Sequence, residues 1–373
     1  MTIGRTPSRS SRTQRTPAHP QALSDLLREL DVRPKGRLDF KLVSRWAAKH
    51  VWRVDLNDKP WGYIRYLLGP ADKFPERYRH MELGELLFDA HVGPRVLGIT
   101  PHSDALGGRA AIVESALMPI TRDELEARAA EAIALFSRLH SDPALLEALS
   151  VNLTEADLRG YSPLDRFFSE TRERWFEAVV GRWLEVGLSE INIARQIVSE
   201  LMRRLDDLQH STESIGIIVP AHNDPNHGNF MVNKQGALRL IDFEELALSN
   251  PVADIGVFLV WYVDIDQHLP LLEQYPLADP QAMLQRMKVW VPLRYINIAA
   301  HWASRLTHAE EEQQWVFAVE SVDEWLRGAC ELLSGGHVLP NQARRLEHLK
   351  EALMNRWPFV PPSDDDPEQL SLL

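Results

Sequence analysis

Hydrophobic and polar positions alternate through the first third of the chain in a pattern typical of β-strands. The segments 51–56 (VWRVDL) and 61–67 (WGYIRYL) flank the turn 57–60 (NDKP), which is a hairpin signal. The segment 76–91 has helical spacing, and 109–117 (RAAIVESAL) returns to a strand pattern. We therefore expect a small antiparallel sheet with one helix in this part of the chain.

Apolar residues recur at helical spacing through most of the remaining sequence. The predicted helices are 122–140, 165–179, 191–208, 283–306, 310–334 and 340–353. A strand–turn–strand pattern interrupts them, with strands at 229–233 and 238–243 around the turn 234–237. Pairing Asn233 with Leu238 would place Asn229 directly opposite Asp242, with their Cβ atoms about 4.5–5.5 Å apart.

The polar residues of this hairpin suit a hard cation. An amide oxygen and a carboxylate at that separation can bind Mg²⁺, which prefers oxygen ligands and usually keeps substrate phosphates among them. Asp224, on the loop that enters the hairpin, would face the same cation. The spacing thus predicts a site for phosphoryl transfer. The alternative is local, because Asp224-Pro225-Asn226 is also good turn chemistry.

Composition narrows the class of protein. A chain of 373 residues with 45% hydrophobic and 25% charged residues predicts a globular protein of two domains or lobes. The net charge of −12 argues against nucleic acid as a partner. Cys330 is the only cysteine, which favours a reducing, cytoplasmic setting. The longest apolar run, 255–263, is far shorter than the roughly 20 residues that span a bilayer, so no membrane partner is expected.

The two ends of the chain differ from the rest. Residues 1–22 are basic, rich in Ser and Thr, and almost free of apolar side chains, which predicts a disordered tail. A transit peptide is the alternative, although the segment lacks an apolar face. Residues 357–373 are acidic and contain several Pro residues, and we expect a second disordered tail there.

Three short motifs carry a family resemblance. HNDPNHGN (222–229), IDFE (241–244) and NPVADIG (250–256) follow one another in the order and spacing of the aminoglycoside phosphotransferase and choline kinase superfamily, relatives of the protein kinases. The chain resembles that superfamily most clearly in this stretch. The resemblance implies an α+β, bilobal protein-kinase-like fold. A small antiparallel-sheet N-lobe would occupy 23–116, and a mostly helical C-lobe would occupy 117–356.

The resemblance also implies roles for individual residues. Asp224 would accept or orient the proton of the attacking hydroxyl, and His222 would brace the catalytic loop. Asn229 and Asp242 would hold Mg²⁺ on the phosphates of ATP. Glu244 would add a metal or substrate contact, with surface bracing as the alternative.

The nucleotide site implied by the resemblance lies in the N-lobe. Arg65 would replace the phosphate-holding lysine, with Glu82 or Glu85 as its helix partner; a surface salt bridge is the alternative for Arg65. The segment from Val113 to Ala116 would be the hinge beside the adenine. The loop 44–50 (SRWAAKH) departs from the pattern because it has no glycine, whereas phosphate-covering loops usually need one.

The function implied is an ATP- and Mg²⁺-dependent phosphotransferase acting on a hydroxyl of a small molecule such as an amino alcohol or an aminoglycoside. A cationic acceptor is one candidate, because the second half is rich in tryptophan and cation–π contacts suit such ligands. Core packing is the alternative role of these aromatic residues. A catalytically silent kinase-fold protein is the alternative function, and a protein kinase is a third.

Overall fold

The computed structural model describes residues 17–45, 49–151, 163–185, 187–209, 217–309 and 311–357. The described residues fall into two compact units. The first unit contains the described residues up to 151 together with Pro220–Ala247. The second unit contains the described residues within 163–219 and those from Leu248 onward. This division differs from the predicted boundary at 116/117, because 117–151 and the hairpin segment 220–247 belong with the sheet.

The first unit is built on an antiparallel sheet, as predicted. Its strands are β1 (Leu38–Arg45), β2 (Lys49–Leu56), β3 (Lys59–Leu67), β4 (Val96–Ser103) and β5 (Arg109–Ser115), in the spatial order β1-β2-β3-β5-β4. The hairpin between β2 and β3 is confirmed, with Leu56 paired to Lys59. Asn57 and Asp58 both have positive φ. Two such residues form the tight turn whose twist matches that of the strands.

One face of this sheet packs against an N-terminal helix, α1 (Pro20–Glu29). Leu23, Leu26 and Leu27 of the helix are fully buried. The helix starts with proline at its first position, where the missing N–H costs nothing. This corrects the predicted tail at 1–22, because the helix takes its last three residues; residues 1–16 lie outside the described part of the chain.

The opposite face of the sheet carries Arg65 and Glu114. Val51 pairs with Arg65 across β2 and β3, and Tyr63 pairs with Glu114 across β3 and β5. Since side chains alternate along a strand, these residues share the face that α1 leaves uncovered.

Two short helices replace the single helix predicted at 76–91. They are α2 (Pro75–Glu82) and α3 (Gly84–Asp89), joined at Leu83. A Cβ atom at Gly84 would lie 2.7 Å from Val96 Cγ2, so only glycine allows this close approach to β4.

The described part of the first unit has three further α-helices, and one of them anchors the hairpin that carries the predicted site. They are α4 (Arg122–Glu126), α5 (Ala129–Ser141) and α6 (Pro143–Ser150), and the short strands are β6 (Met118–Pro119), β8 (Phe230–Val232) and β9 (Leu238–Leu240). Phe136 of α5 meets Phe230 edge to face at 5.8 Å between ring centroids. Glu131 accepts a hydrogen bond from the backbone N–H of Leu238 at 2.8 Å. Packing on α5 therefore ties the hairpin to the first unit.

The second unit is helical, as predicted. Its helices are α7 (Pro163–Glu173), continued by a π-helical turn at Arg174–Val179, α8 (Val180–Glu185), α9 (Ile191–Gln209), α10 (Ile255–Tyr262), α11 (His268–Leu272), α12 (Pro280–Leu306), α13 (Glu312–Leu333) and α14 (Pro340–Met354). Short strands β7 (Val219–Ala221) and β10 (Ala247–Ser249) lie where the chain passes between the units. Across the described residues, no helix is both long and apolar enough to cross a membrane.

Tryptophan forms much of the core of the second unit. Trp175, Trp183 and Trp315 are fully buried. Their indole N–H groups donate to the carbonyls of Ile296, Ala303 and Leu353 at 2.7, 2.9 and 3.0 Å. Buried indoles need such a partner. Core packing is thus confirmed for Trp315, one of the aromatic residues considered for a cationic ligand.

Candidate active site

The hairpin of the predicted site has a register one residue away from the prediction. Val232 pairs with Leu238 and Phe230 with Leu240, so Asn229 faces Ile241 and not Asp242. The backbone N–H of Ile241 donates to Asn229 O at 3.0 Å. The predicted pairing of Asn233 with Leu238 is therefore wrong.

The loop of the hairpin explains the shift in register. Asn233 N–H donates to Ala237 O at 3.0 Å, so the loop has three residues, and its last one, Gly236, has φ +80°. Hairpin loops of this length need a residue in the left-handed region, and glycine adopts it without strain. The Asn233 side chain also accepts from the N–H groups of Gln235 and Ala237, both at 3.0 Å.

Asp242 leaves the strand in a left-handed conformation, with φ 63° and ψ 57°. A one-residue change of register would normally turn a side chain to the other face of the hairpin. The left-handed backbone redirects it, and Asp242 and Asn229 line the same cavity. The two predicted metal ligands therefore line one cavity, but the left-handed backbone of Asp242, and not direct pairing across the hairpin, brings them together.

His222 connects the two segments of the site. It is fully buried, and its Nε2 lies 2.8 Å from Ile241 O, while its Nδ1 accepts the backbone N–H of Asp224 at 3.3 Å. These partners assign the proton to Nε2. The ring also meets Phe243 at 5.0 Å between centroids. His222 thus holds the backbone before Asp242 and the backbone of Asp224 at the same time.

Asp224 and Asn229 are in direct contact. The Asn229 amide nitrogen donates to Asp224 Oδ2 at 2.8 Å and to the Asp224 carbonyl at 3.0 Å. The donor atom of the amide is therefore used by Asp224, and its oxygen is the atom suited to a cation. Asn229 is 9% exposed, so this arrangement is held in a nearly closed environment.

A lysine that the sequence interpretation overlooked occupies the centre of the site. Lys49, the first residue of β2, has a side chain only 7% exposed. Its Nζ lies 2.9 Å from Asp242 Oδ1 and 2.6 Å from Glu244 Oε1. Burial would raise the pKa of Asp242, but the charge of Lys49, its hydrogen bond and the charge of Arg65 together lower it below the ordinary value. Glu244 also has Arg77 of α2 at 3.8 Å.

Arg65 has a different partner from the one expected. Its guanidinium donates to Glu114 Oε1 at 2.7 Å, and the two side chains are 18% and 9% exposed. Glu82 lies on the exposed side of α2 and Glu85 on that of α3. This corrects the expected helix partner. The reason is the register: Arg65 pairs with Ile112, so Glu114 is its diagonal neighbour on the same face.

Burial favours the neutral form of Arg65. The negative charges of Glu114, Asp242 and Glu244 favour the charged form and outweigh burial. The pKa of Arg65 is therefore raised above its ordinary value. The guanidinium stays charged where it lines the cavity.

The expected hinge, Val113 to Ala116, reaches the cavity only in part. Val113 is fully buried in the core on the α1 side of the sheet, and Ala116 N–H is taken by Trp61 O at 3.0 Å. Glu114, Ser115 and Leu117 line the cavity instead. Alternation along β5 explains this, because Val113 and Glu114 point to opposite faces.

The cavity has a volume of about 320 Å³. Strands β1, β2, β3 and β5 supply one wall, and the hairpin supplies the other through Gly228, Asn229, Met231, Ile241 and Asp242. This size is within the range of small-molecule sites. Of the glycine-free loop 44–50, residues 46–48 lie outside the described residues, whereas Ser44 and Lys49 line the cavity.

The donor set fits a hard divalent cation. Asp242 supplies a carboxylate, Asn229 supplies an amide oxygen, and Glu244 is close enough to share one ammonium group with Asp242. That ammonium shows that the two carboxylates already accommodate a positive charge between them. Within the described residues, His, Cys, Asp and Glu do not form a group of three that could hold a metal. A bound Mg²⁺ would take its remaining ligands from substrate phosphates and water.

The antiparallel sheet, the charged cavity beneath it and the hairpin loop together define a kinase-like phosphotransferase fold. Solved structures share it. An ethanolamine kinase from Plasmodium vivax is 12% identical over 84% of this chain and 86% of that chain, with a TM-score of 0.53. A spectinomycin phosphotransferase is 12% identical over 86% and 99%, with a TM-score of 0.57. An aminoglycoside 2'-phosphotransferase is 15% identical over 90% and 98%, with a TM-score of 0.54.

At these identities the similarity shows the fold. The sequence profile of the phosphotransferase enzyme family matches residues 87–290, which is more than half of the chain. The protein belongs to this family.

Proposed function

We propose that the protein is an ATP- and Mg²⁺-dependent phosphotransferase that phosphorylates a hydroxyl of a small molecule. One observation carries the proposal: Asn229 and Asp242 of the hairpin share a cavity with the cations Lys49 and Arg65 of the sheet. Oxygen ligands for a metal and cations for phosphate oxygens are the two parts that phosphoryl transfer requires, since positioning and charge neutralisation supply most of its catalysis.

Asp224 is the proposed catalytic residue for the acceptor. Its carboxylate accepts a hydrogen bond from Asn229, and its backbone is fixed by His222. A carboxylate held in this way would orient the attacking hydroxyl and accept its proton. Mg²⁺, when bound, would neutralise charge on the transferred phosphoryl group. Asn229 and Asp242 would hold the metal, and Lys49 and Arg65 would contribute positive charge to the nucleotide site.

The ligands bound in similar solved structures support the proposed substrates of this protein. The spectinomycin phosphotransferase structure is a complex with ADP and spectinomycin, and that of the aminoglycoside 2'-phosphotransferase is a GDP complex. By analogy, the proposed phosphate donor of this protein is a purine nucleotide, and the proposed acceptor is an amino alcohol or an aminoglycoside. The buried thiol of Cys330 agrees with a reducing, cytoplasmic setting.

A catalytically silent nucleotide-binding or scaffold protein is the second candidate. The observation in its favour is the Lys49 ammonium, which satisfies Asp242 and Glu244 without a metal. The contact between Asp224 and Asn229 favours the enzyme, because it prepares a carboxylate that a scaffold does not need.

Calorimetry and an acceptor screen test the proposal. The purified chain is titrated with ATP and GTP, with and without Mg²⁺, and Mg²⁺-dependent binding is expected. ATP consumption is then followed with aminoglycosides, choline, ethanolamine, thiamine and sugars, and one class of acceptor should stimulate it. Nucleotide binding without turnover on any acceptor would favour the silent candidate. A chain that binds no nucleotide would exclude the enzyme and leave only the scaffold role of the second candidate.

A further inference from the structure

Lys49 is the cation most closely associated with the proposed metal ligands. Its ammonium contacts both Asp242 and Glu244, and its side chain is nearly closed off from solvent. Such burial is costly for an ammonium unless it is paired. Two carboxylates compensate the cost here, so the lysine is held at one defined position in the cavity.

The place of Lys49 in the sheet differs from the place expected for a phosphate-holding cation. From the sequence, Arg65 on β3 was expected in that role. Lys49 begins the neighbouring strand, β2. Its side chain lies on the cavity face, two residues before Val51, which lines the same cavity.

Arg65 is committed to another contact. Its guanidinium lies 2.7 Å from Glu114 Oε1, which neutralises its charge. The register of β3 and β5 fixes this pair. Moving the guanidinium to a phosphate would leave Glu114 buried without its partner, which is strongly unfavourable. Lys49 faces no such cost if a metal takes over its carboxylates.

Competition for the carboxylates gives Lys49 a second position. A divalent cation on Asp242 would repel an ammonium that stays at hydrogen-bond distance from the same group. The lysine stem is long and flexible, and its three donors suit phosphate oxygens. A nucleotide arriving with the metal supplies those oxygens in the same cavity.

We propose that Lys49 on β2, and not Arg65 on β3, holds the nucleotide phosphates, and that before binding its ammonium occupies the cation position between Asp242 and Glu244. The inference rests on the proposed function, since it names a further binding residue of that site. It explains why a lysine is buried between two proposed metal-binding carboxylates, and it leaves the Arg65–Glu114 pair as a fixed wall of the cavity.

Binding measurements with the full chain test this inference without relying on activity. The variants are Lys49→Met and, as a matched control, Lys59→Met, which removes an exposed lysine from the hairpin that β2 forms with β3. Calorimetry in the presence of Mg²⁺ gives the ATP affinity, and competition with ATP gives the adenosine affinity. Circular dichroism verifies the fold, and Lys49→Gln replaces Lys49→Met if the latter does not fold.

The expected result is a selective loss. Lys49→Met should bind ATP about tenfold more weakly, the cost of one charge-assisted hydrogen bond, and adenosine with unchanged affinity. Without nucleotide, the same variant should bind Mn²⁺ several-fold more tightly than the wild type, because the competing ammonium is gone. Lys59→Met should match the wild type in all three affinities. Lys49→Arg, which keeps a cation, should retain most of the ATP affinity.

Three outcomes would overturn the inference. Unchanged ATP affinity in Lys49→Met, together with a selective loss in Arg65→Met, would return the phosphate role to Arg65. Equal losses for adenosine and ATP would show a structural role for Lys49. Unchanged Mn²⁺ affinity would show that the ammonium does not occupy the cation position. A wild-type chain that binds no nucleotide removes the proposed function as well, whereas the other outcomes leave it intact.

Discussion

The two aspartates of the site differ in their surroundings. Asp224 accepts from the Asn229 amide and is partly exposed, whereas Asp242 faces Lys49 and Arg65 and has a lowered pKa. Cations around Asp242 favour its charged form, as a metal ligand requires. The environment of Asp224 contains an orienting amide, which suits a group that receives a proton from a hydroxyl. The surroundings of Asp242 thus suit a metal ligand, and those of Asp224 suit a proton acceptor.

Asp224→Asn tests the proposed role of the carboxylate. The substitution conserves volume but removes the ability to accept a proton, so kcat should fall by about 10²- to 10⁴-fold. ATP affinity should stay within about threefold, since the side chain is assigned to the acceptor and not to the nucleotide. Steady-state kinetics with the acceptor found in the screen, and calorimetry with ATP, measure both.

Asp104→Asn serves as the control for Asp224→Asn, because the Asp104 side chain is 97% exposed. It should leave kcat and ATP affinity unchanged. A near-normal kcat in Asp224→Asn would remove this residue from the mechanism.

Glu114→Gln tests the ion pair on the sheet. It leaves Arg65 charged and largely buried beside a neutral amide, and the free energy of unfolding should fall by about 3 kcal/mol. Chemical denaturation of the full chain measures the change. The control is Glu126→Gln, which breaks an exposed pair with Arg122 on α4 and should cost less than about 0.5 kcal/mol. Similar small losses in both variants would show that the Arg65–Glu114 pair is screened by solvent.

At the scale of elements, the hairpin depends on the left-handed residue of its loop. A Cβ atom at Gly236 would meet nothing within 4 Å, so Gly236→Ala adds no clash and changes only the backbone preference. With φ +80°, alanine should lower the free energy of unfolding by about 1 kcal/mol.

Gly181→Ala is the matched control for Gly236→Ala. Its Cβ also meets nothing within 4 Å, but Gly181 lies in α8 without a positive φ. Alanine should therefore be neutral there or raise the free energy of unfolding by up to about 1 kcal/mol. Chemical denaturation of both variants gives the comparison, and equal effects would contradict the explanation of the hairpin register.

The elements show which parts of the fold a single sequence can predict. Helix α12 at Pro280–Leu306 and α14 at Pro340–Met354 were predicted within a few residues, because apolar periodicity persists over several turns. Strand β4 was missed because glycine and proline interrupt its pattern. The hairpin was predicted but not its register, since a three-residue and a four-residue loop differ only in where the left-handed residue falls.

The site was predictable where its residues are close in sequence. Asp224, Asn229 and Asp242 were found because they fall within one short stretch with a recognisable spacing. Lys49 and Asp242 are 193 positions apart, and Arg65 and Glu114 are 49 apart. Pairs of this kind follow from strand order and register, which tertiary packing decides. The charge of Glu114, which follows the apolar residues 110–113 in the same strand, was the signal that could have indicated Glu114 in place of Val113.

At the scale of the whole molecule, the first unit is not a continuous stretch of chain. Its sheet and helices α4 to α6 come before the second unit, but its hairpin comes from Pro220–Ala247. Phe136 and Glu131 of α5 both have partners on that hairpin. The sheet and the proposed metal ligands therefore reach the same cavity only after the intervening chain has been made.

A fragment of residues 17–151 tests this dependence. Without the hairpin, Phe136 loses its aromatic partner and apolar surface is exposed, so the fragment should lack a cooperative unfolding transition and bind no ATP. The comparison is the same fragment joined to 220–247 by a flexible Gly/Ser linker, which should recover part of the transition. Near-UV circular dichroism during heating distinguishes the two. A sharp transition in the shorter fragment would show that the sheet and helices fold without the hairpin.

The ion pair between Arg65 and Glu114 also determines which synthetic molecules suit the cavity. A flat, neutral heterocycle pressed against this wall would remove water from both side chains and return no hydrogen bonds, which lowers affinity. A compound with a hydrogen-bond donor beside a carboxylate-like acceptor at one edge would replace that water. Its donor would bind the Glu114 carboxylate, and its acceptor would bind the Arg65 guanidinium. Selective inhibitors of this protein should therefore be dipolar at one edge, and libraries built around apolar purine mimics should perform poorly against it.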